Sequence, residues 1–351
     1  MLVEKLNVVI APAGGAFGSA ISIPLLANGH EVTLAFRSEE KAQRFRESRR
    51  LEEERLKGFV FPEDIRVTSD TAEAVRNADL VVLATPARFI ETYYPVNIQP
   101  FRKPDTNVLI PSKGLVKIEN KYLRPSEVVS YFDPSATRHR VVLSGPNFAA
   151  EIARGLPFVT VIAAEDPRLA EEMVDIFSLT PQYRIYPSED VAGVELGGAF
   201  KNVIAIAAGI SDGLEYGENA RAALIKRGAL EIVRLGVALG GQKDTLTGIS
   251  GDADLWMTCV SSQSRNHQFG VQIGQGKTPA ELLRSGQTVE GYYTVKVAWE
   301  FVREYDVKAP ITKLVYCVLH KGMEVAEAVK QLQEREPVYE DGRPLARSLS
   351  R

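Results

Sequence analysis

The chain has 351 residues, of which 45% are hydrophobic and 25% are charged, a globular composition at a length typical of two domains. Its formal net charge of −3 gives no general reason to bind nucleic acid or an acidic membrane surface. Cys259 and Cys317 are too few for a disulfide framework and no metal-ligand spacing is present, so we expect a reducing cytoplasm and no metal. We expect no signal peptide, because residues 1–10 are too few and too charged, and no apolar run of about eighteen residues predicts a membrane span.

Short apolar strands alternate with helices in the first half of the chain. The predicted strands are residues 7–11, 31–36, 65–68, 80–85, 107–111, 140–144 and 160–163. The predicted helices are residues 16–28, 38–54 and 70–77. Strands without polar alternation suit a sheet that is covered on both faces, and their alternation with helices favours an α/β fold with a parallel, doubly wound sheet.

Strand signals become rare after residue 187. Long helical patterns replace them at 191–208, 219–239, 289–304 and 311–318, which predicts an all-α second part. The end of the chain mixes proline, glycine, serine and charge. We therefore predict a sheet domain at residues 1–187, a helical domain at 188–340 and a flexible tail at 341–351.

A glycine-rich turn, APAGGAFG at residues 11–18, follows the first strand and opens the first helix. This is the position of the fingerprint that binds the pyrophosphate of a dinucleotide. Gly15 leaves the backbone open to a phosphate, and Gly18 allows the helix to pack on the strand. Ala13 replaces the first glycine of the fingerprint, so Gly14 is the candidate for the tight turn. An ordinary strand-to-helix turn is the competing interpretation.

The end of the second strand bears on the choice of cofactor. An acidic residue there binds the ribose hydroxyls of NAD, but this chain has no acid at that point and carries Arg37. A guanidinium is well suited to the 2′-phosphate of NADP. Arg37 therefore favours NADP over NAD. The alternative is a solvated arginine at the start of a charged helix.

Compact polar clusters interrupt the later apolar sequence. Lys113 follows a predicted strand end, where the ligand crevice of an open α/β sheet lies. Lys201 and Asn202 lie within an apolar helix, where an unpaired ammonium is costly to bury, although a lysine that reaches solvent is the alternative. Arg265 stands beside amide donors and is a candidate phosphate clamp, or else a surface arginine.

Taken in order, these clusters resemble the NAD(P)-dependent glycerol-3-phosphate dehydrogenase family. The motifs are SKG at 112–114, SGPNFAAE at 144–151, ELGGAFKNVIAIAAGISDGL at 195–214, ENARAALIKRG at 218–228, SRNHQFG at 264–270 and VEGYYT at 289–294. Each motif is weak alone, but their shared order over about residues 7–310 is specific.

The resemblance implies a Rossmann-type dinucleotide-binding domain, a helical substrate-binding domain and a site between them. It implies that Lys201 donates and accepts the proton, with Lys113, Asp254 and Asn202 as further catalytic residues. The implied substrate-binding residues are Lys113, Gly145, Asn147, Thr258, Ser264, Arg265 and Asn266. The implied cofactor contacts are Gly15, Ala16, Phe17, Gly18, Arg37, Lys113, Ala149, Arg265 and Glu290. To act near neutral pH, Lys201 needs a lowered pKa, which burial and Lys113 can supply.

The implied reaction is hydride transfer between NAD(P)H and dihydroxyacetone phosphate or sn-glycerol 3-phosphate, which supplies phospholipid synthesis in a cytoplasmic homodimer. Three departures from the family concern the substrate: Ala13, Asn147 where serine is common, and Asp252, which adds a second carboxylate near the site. The alternatives are a paralogue for a related phosphorylated or phosphonate ketone, a β-hydroxyacid or opine-type dehydrogenase, and a module that binds NADPH without turnover.

Overall fold

The computed structural model describes residues 4–177, 182–284, 286, 288–340, 343 and 345. The strands are β1 Asn7–Ala11, β2 Glu31–Ala35, β3 Arg66–Thr68, β4 Leu80–Leu83, β5 Asn107–Ile110, β6 Val116–Ile118, β7 Lys121–Leu123, β8 Arg140–Ser144, β9 Phe158–Ala163 and β10 Tyr183–Ser188. The helices are α1 Ala16–Ala20, α2 Ser22–Ala27, α3 Glu39–Ser48, α4 Thr71–Arg76, α5 Ile90–Asn97, α6 Pro125–Phe132, α7 Ala149–Ala153, α8 Pro167–Phe177, α9 Val191–Gly213, α10 Gly217–Ala238, α11 Lys243–Leu246, α12 Asp254–Val260, α13 Arg265–Gly274, α14 Pro279–Leu283, α15 Glu290–Glu304, α16 Pro310–Lys321 and α17 Val325–Gln333.

Eight strands form one sheet in the order β10-β9-β8-β5-β4-β1-β2-β3. Strand β1 runs parallel to both of its neighbours, and Val8 lies opposite Val32 on one side and Leu80 on the other. The chain moves outward from β1 first through β2 and β3, and later through β4, β5 and β8, so the strand order reverses beside β1. In such sheets ligands bind at the carboxyl ends of the strands near this reversal. The α/β fold with a mainly parallel, doubly wound sheet is thus confirmed.

The last two strands depart from the predicted parallel arrangement. Strand β9 pairs antiparallel with β8, and β10 runs parallel to β9, so both oppose the other six. The only helix between β8 and β9 is α7, whose five residues advance about 7.5 Å. A five-residue strand such as β8 spans about 16 Å. The connection therefore does not return the chain to the start of β8, and β9 leaves from the edge where β8 ends.

Two predicted helices in the first half are also shorter than expected. The helix predicted at 16–28 breaks at Ile21 into α1 and α2, because Pro24 has no N–H to donate to the carbonyl of Ala20. The helix predicted at 38–54 ends at Ser48, because Arg49 adopts a left-handed conformation with φ 51°. Residues 54–56 form a separate 3₁₀ turn.

The helical second part is built around α9. Asp190 caps this helix by accepting a hydrogen bond from the backbone N–H of Gly193 at 2.8 Å. Helix α13 lies against α9 so closely that a Cβ on Gly270 would stand 2.1 Å from the carbonyl oxygen of Ile206. By length and hydropathy α9 could cross a membrane, but 94% of its most apolar window is buried inside this fold, which makes it a core helix.

Strand β10 ends at Ser188, and the elements that follow it in the described chain, from Val191 onward, are helices. The helices predicted at 191–208, 219–239, 289–304 and 311–318 are present as α9, α10, α15 and α16. The division at residue 187 and the helical domain at 188–340 remain predictions. Apart from residues 343 and 345, the tail predicted at 341–351 lies outside the described residues.

Candidate active site

A single cleft between the carboxyl edge of the sheet and the helical part collects most of the predicted site residues. Its lining includes Gly15, Ala16, Phe17, Gly18, Lys113, Asn147, Ala149, Lys201, Asn202, Thr258, Ser264, Arg265, Asn266 and Glu290. Asp254 and Gly145 are joined to this set by hydrogen bonds, and Arg37 lies in an adjoining groove on the far side of the glycine turn. Residues from both halves of the chain therefore meet at one place.

Two lysines share one buried carboxylate at the centre of the cleft. Lys201 Nζ donates to Asp254 Oδ1 and, at 2.8 Å, to Thr258 Oγ1. Lys113 Nζ donates to Asp254 Oδ2 at 2.7 Å and to the carbonyl oxygen of Gly145 at 2.9 Å. The Asp254 side chain is fully buried, whereas the Lys113 side chain retains 18% exposure toward the cleft. The carboxylate thus fixes the positions of both ammonium groups.

The pKa of Lys201 is lowered to about 7. Burial of the side chain is the largest cause, and the positive charge of Lys113 lowers the pKa further, while Asp254 opposes both effects. A lysine with such a pKa is protonated in about half of the molecules at pH 7, so it can both give and take a proton there. The lowered pKa and its two causes are those that the sequence predicted.

Asp254 is presented to the lysines by an unusual turn. Residues Ile249–Ala253 form a π-helical segment that leads directly into α12, and such segments occur often at functional sites. Gly251 allows this turn to pack, because a Cβ there would lie 1.9 Å from the carbonyl oxygen of Leu246.

Asp252 does not add a second carboxylate to the site, contrary to the prediction. It is not among the residues that line the cleft, and its electrostatic partner is Lys226 on α10. Successive helical residues rotate by about 100°, so Asp252 and Asp254 point in nearly opposite directions. Asp252 therefore leaves Asp254 as the one carboxylate that the two lysines share.

A chain of side-chain amides joins the helices around the cleft. Asn266 Nδ2 donates to Asn202 Oδ1 at 2.9 Å, and Asn266 Oδ1 accepts from the backbone N–H of Gly291 at the same distance. The Asn202 amide also donates to the carbonyl oxygen of Gly198 at 3.3 Å, so Asn202 braces α9 against α13 and makes no hydrogen bond to Lys201.

The start of α13 aims Arg265 into the cleft. Ser264 caps the helix by accepting from the backbone N–H of His267 at 3.2 Å. Arg265 is the first residue of the helix and faces a partly buried acid, Glu290. Burial raises the pKa of Glu290 to about 7, although Arg88 and Arg265 oppose this effect. The end of the cleft nearest Arg265 thus combines cationic groups with a readily protonated carboxyl.

Asn147 is held at the cleft by its neighbours. Its amide oxygen accepts from Lys113 Nζ at 3.2 Å, and its amide nitrogen donates to Thr160 Oγ1 at 3.4 Å. Thr160 in turn donates to the carbonyl oxygen of Ser144 at 2.8 Å. The asparagine therefore occupies a defined position beside the reactive lysines.

The glycine turn has the shape that a dinucleotide phosphate requires. Gly14 has φ 101°, a conformation that favours glycine, so it makes the tight turn beside Ala13. A Cβ on Gly15 would meet no heavy atom within 4 Å, which leaves that backbone open to the cleft. Gly18 packs against the sheet, since a Cβ there would stand 2.2 Å from the Ala84 side chain. These residues fit a cofactor pyrophosphate.

Arg37 stands at the outer end of this turn. Its guanidinium donates to Thr85 Oγ1 at 3.4 Å and lies 5.3 Å from the ring centre of Tyr93. The side chain is exposed, and the charged residues that line the adjoining groove with it are Lys41, Arg44, Arg50, Glu52 and Glu53, so cations outnumber acids there. This cationic groove fits a phosphate on the adenosine ribose.

Sequence reasoning missed several residues of the cleft. Glu53, Arg55 and Gln263 line it, and Gln263 Nε2 donates to Glu151 Oε1 at 3.2 Å. Glu53 and Arg55 belong to a charged loop after α3, and no pattern in that loop indicates that it reaches the cleft. Among the described residues, no group of three or more His, Cys, Asp or Glu side chains could hold a metal ion.

Comparisons with known proteins identify the family of this chain. Residues 9–170 match the model of the NAD-dependent glycerol-3-phosphate dehydrogenase N-terminus, and residues 190–330 match that of its C-terminus. The chain is 38% identical over 337 residues to glycerol-3-phosphate dehydrogenase [NAD(P)+] of Fusobacterium nucleatum, which covers 96% of this chain and 98% of that protein. The protein of the same name from Moorella thermoacetica is 40% identical over 331 residues, covering 93% and 95% of the two chains.

Solved structures also match this chain, one of them within the same family. The crystal structure of glycerol-3-phosphate dehydrogenase from Coxiella burnetii matches with a TM-score of 0.85 and 30% identity, covering 94% of this chain and 99% of that one. D-mandelate dehydrogenase in complex with NADH matches with a TM-score of 0.56 and 14% identity, over 93% and 99% of the two chains, and shares the fold alone. The chain therefore belongs to the NAD-dependent glycerol-3-phosphate dehydrogenase family.

Proposed function

We propose that this chain transfers hydride between NAD(P)H and dihydroxyacetone phosphate, with sn-glycerol 3-phosphate as the reduced product. The observation that carries the proposal is Lys201, a buried lysine whose pKa is lowered to about 7 and whose ammonium group is fixed by Asp254 and Thr258 beside an anion-compatible cleft. A ketone reductase needs such a proton donor, because hydride addition leaves negative charge on the carbonyl oxygen.

When bound, the reduced nicotinamide supplies the hydride. As the hydride adds to the carbonyl carbon, the electron pair of the C=O π bond moves to oxygen, and the Lys201 ammonium gives that oxygen its proton. Lys113 adds a second positive charge on the same side, which stabilises the developing alkoxide. Asp254 holds both ammonium groups through separate oxygens, at 2.7 Å in the case of Lys113. In the reverse direction, neutral Lys201 accepts the proton of the alcohol.

Recognition of the substrate phosphate falls to the start of α13. Arg265 offers a planar fork of donors suited to a phosphoryl group, and Asn266 beside it is oriented by Asn202. Asn147 and Gly145 position Lys113 on the opposite wall. Binding energy from the phosphate then places the carbonyl at Lys201.

The cofactor is NAD or NADP, and we propose a preference for NADP. The Gly14–Gly18 turn would hold the pyrophosphate, and Phe17, Ala149 and Glu290 line the adjoining cleft. Arg37 in its cationic groove would bind the 2′-phosphate that distinguishes NADP from NAD.

We further propose that residues 1–187 bind the dinucleotide, that residues 188–340 bind the substrate, and that the chain works as a cytoplasmic homodimer without nucleic acid or membrane partners. The net charge of −3 and the burial of α9 support the last point, and the family resemblance supports the dimer. Sedimentation equilibrium tests the dimer, which requires twice the chain mass of 38.6 kDa. Supply of glycerol phosphate to phospholipid synthesis is the corresponding role.

The test is to follow the transferred atom. Dihydroxyacetone phosphate is incubated with enzyme and with NADPH deuterated at its transferable position, and the product is analysed by mass spectrometry. We expect glycerol 3-phosphate with one deuterium on its central carbon. A product without deuterium, or no product while NADPH binds, would exclude the proposed reaction.

A further inference from the structure

The loop that follows α3 brings a second arginine to the cleft. Residues 54–56 form a 3₁₀ turn, and Leu56 anchors it in the core of the sheet domain with only 2% exposure. The turn packs against α7, which begins at the cleft. As a result Arg55 lines the same cavity as Gly15, Gly18 and Arg265. The position of its side chain is therefore set by the fold.

Glu53 accepts a hydrogen bond from one nitrogen of the Arg55 guanidinium. Arg55 Nε donates to Glu53 Oε1 at 2.8 Å, and both side chains are mostly buried, with exposures of 33% for Arg55 and 26% for Glu53. Among the described residues, the two terminal nitrogens of this guanidinium have no hydrogen-bond or ion-pair partner. A guanidinium has five N–H donors, so four remain available to a ligand in the cleft.

The surroundings show that this positive charge is not placed for the protein's own stability. Burial is the largest cause that lowers the pKa of Arg265, and the positive charge of nearby Arg55, which lines the same cleft, lowers it further, so the two like charges repel each other. Glu53 also interacts with Arg265, and its pKa is lowered by its contacts with these arginines against the opposing effect of burial. A partly exposed ion pair contributes little to stability, so it does not account for two guanidinium groups facing one cavity.

We infer that Arg55 is an additional anion-binding residue of the cleft, which together with Arg265 binds a phosphoryl group, and that Glu53 is its positioning residue. This inference rests on the proposed function, since both the substrate and the cofactor pyrophosphate carry phosphoryl groups. Two planar forks that approach one phosphoryl group from different walls would also fix its orientation. The ligand's negative charge removes the repulsion between the two arginines.

The experiment compares Arg55→Ala with Lys57→Ala as a matched control. Lys57 belongs to the same loop and carries the same charge, but its side chain is 76% exposed and pairs with Glu54 at 3.3 Å outside the cleft. For each protein we would measure the KM for dihydroxyacetone phosphate, kcat, and the dissociation constant of NADPH in the absence of substrate. Turnover by the unaltered enzyme tests the proposed function separately, so its failure is distinguishable from failure of this inference.

We expect Arg55→Ala to weaken binding of one ligand by about tenfold or more, the usual effect of losing a charged hydrogen bond, with kcat changed much less. A raised KM with unchanged NADPH affinity assigns Arg55 to the substrate phosphate, and weakened NADPH binding assigns it to the pyrophosphate. Arg55→Lys should retain part of the affinity, and Glu53→Gln should weaken the same ligand less than Arg55→Ala does.

Melting temperatures separate a ligand role from a structural one. If Arg55→Ala melts well below the unaltered enzyme, Arg55→Lys, which preserves the charge and most of the packing, takes its place in the comparison. The inference is overturned if a folded Arg55 variant binds both ligands as the Lys57→Ala control does. It is equally overturned if Arg55→Ala lowers the turnover of dihydroxyacetone phosphate and of unphosphorylated dihydroxyacetone by the same factor with unchanged NADPH affinity, because a phosphoryl contact cannot affect both ketones alike.

Discussion

Replacement of Asp254 by asparagine tests how the site sets the protonation of Lys201. The carboxylate contacts Lys201 and Lys113 and is the one group in this trio that raises the pKa of Lys201, which stands at about 7. An opposite charge in contact typically moves a pKa by about 1 to 3, so in Asp254→Asn the pKa of Lys201 should fall to between about 4 and 6. At pH 7 the protonated fraction then falls from about a half to between roughly a tenth and a thousandth.

The sign of the pH dependence follows from which form of Lys201 reacts. Ketone reduction uses the ammonium, so in the unaltered enzyme its rate should decline as the pH rises through about 7, while alcohol oxidation, which uses the neutral amine, should increase there. At pH 7 the Asp254→Asn enzyme should reduce the ketone about 5- to 500-fold more slowly than the unaltered enzyme. The pH at which its reduction rate declines should also be lower.

The assay is kcat for dihydroxyacetone phosphate reduction between pH 5 and 9, with NADPH affinity and melting temperature measured alongside, because loss of one member of a buried ion pair also destabilises the fold. Asp252→Asn is the matched control: it removes the same charge two residues away, from a side chain that faces Lys226 and not the cleft. It should leave the profile unchanged. The reasoning is refuted if a folded Asp254→Asn enzyme still shows its decline in kcat for ketone reduction near pH 7.

The remaining predictions concern separate parts of the molecule. Lys201→Ala should lower kcat by about 10²- to 10⁴-fold and leave NADPH binding intact, as measured by turnover and titration; near-normal turnover would remove Lys201 as the proton donor. Arg265→Ala should raise the KM for dihydroxyacetone phosphate about tenfold or more in steady-state kinetics, and an unchanged KM would exclude its phosphate contact. Arg37→Ala should weaken NADPH about tenfold and NADH little in paired titrations, whereas equal losses would contradict a 2′-phosphate role. Gly270→Ala should destabilise the fold by about 1 to 3 kcal/mol in denaturant titration, because its Cβ would lie 2.1 Å from the Ile206 carbonyl oxygen; wild-type stability would show that α9 and α13 can separate freely.

The parts of the fold that follow local rules were predictable from the sequence. The central residues of strands such as Asn7–Ala11 and Arg140–Ser144 are apolar because both faces of the sheet are covered, and the predictions match the bounds of these strands. Lys201 was identifiable because an ammonium in an apolar helix needs a reason to be there. Its position in the centre of the cleft agrees with that argument, although its role remains a proposal.

The parts that depend on distant contacts were not predictable. Strand β10 was missed because its sequence, YRIYPS, pairs at a sheet edge and is not uniformly apolar. The reversed direction of β9 depends on how far α7 carries the chain, which no local pattern encodes. Asp252 was misplaced because the π-helical segment before Asp254 has no recognisable sequence signal, and Arg55 was missed because tertiary packing decides where its loop lies.

The central claim is that the cleft reduces a ketone by gripping its phosphate and protonating its oxygen. The most direct test compares kcat/KM for NADPH oxidation with dihydroxyacetone phosphate and with unphosphorylated dihydroxyacetone at pH 7. Our account predicts efficient turnover of the phosphate ester and a loss of at least about a hundredfold without the phosphate, because two or more charged hydrogen bonds are lost with it. Equal turnover of the two ketones, or of neither while NADPH binds, would contradict the account.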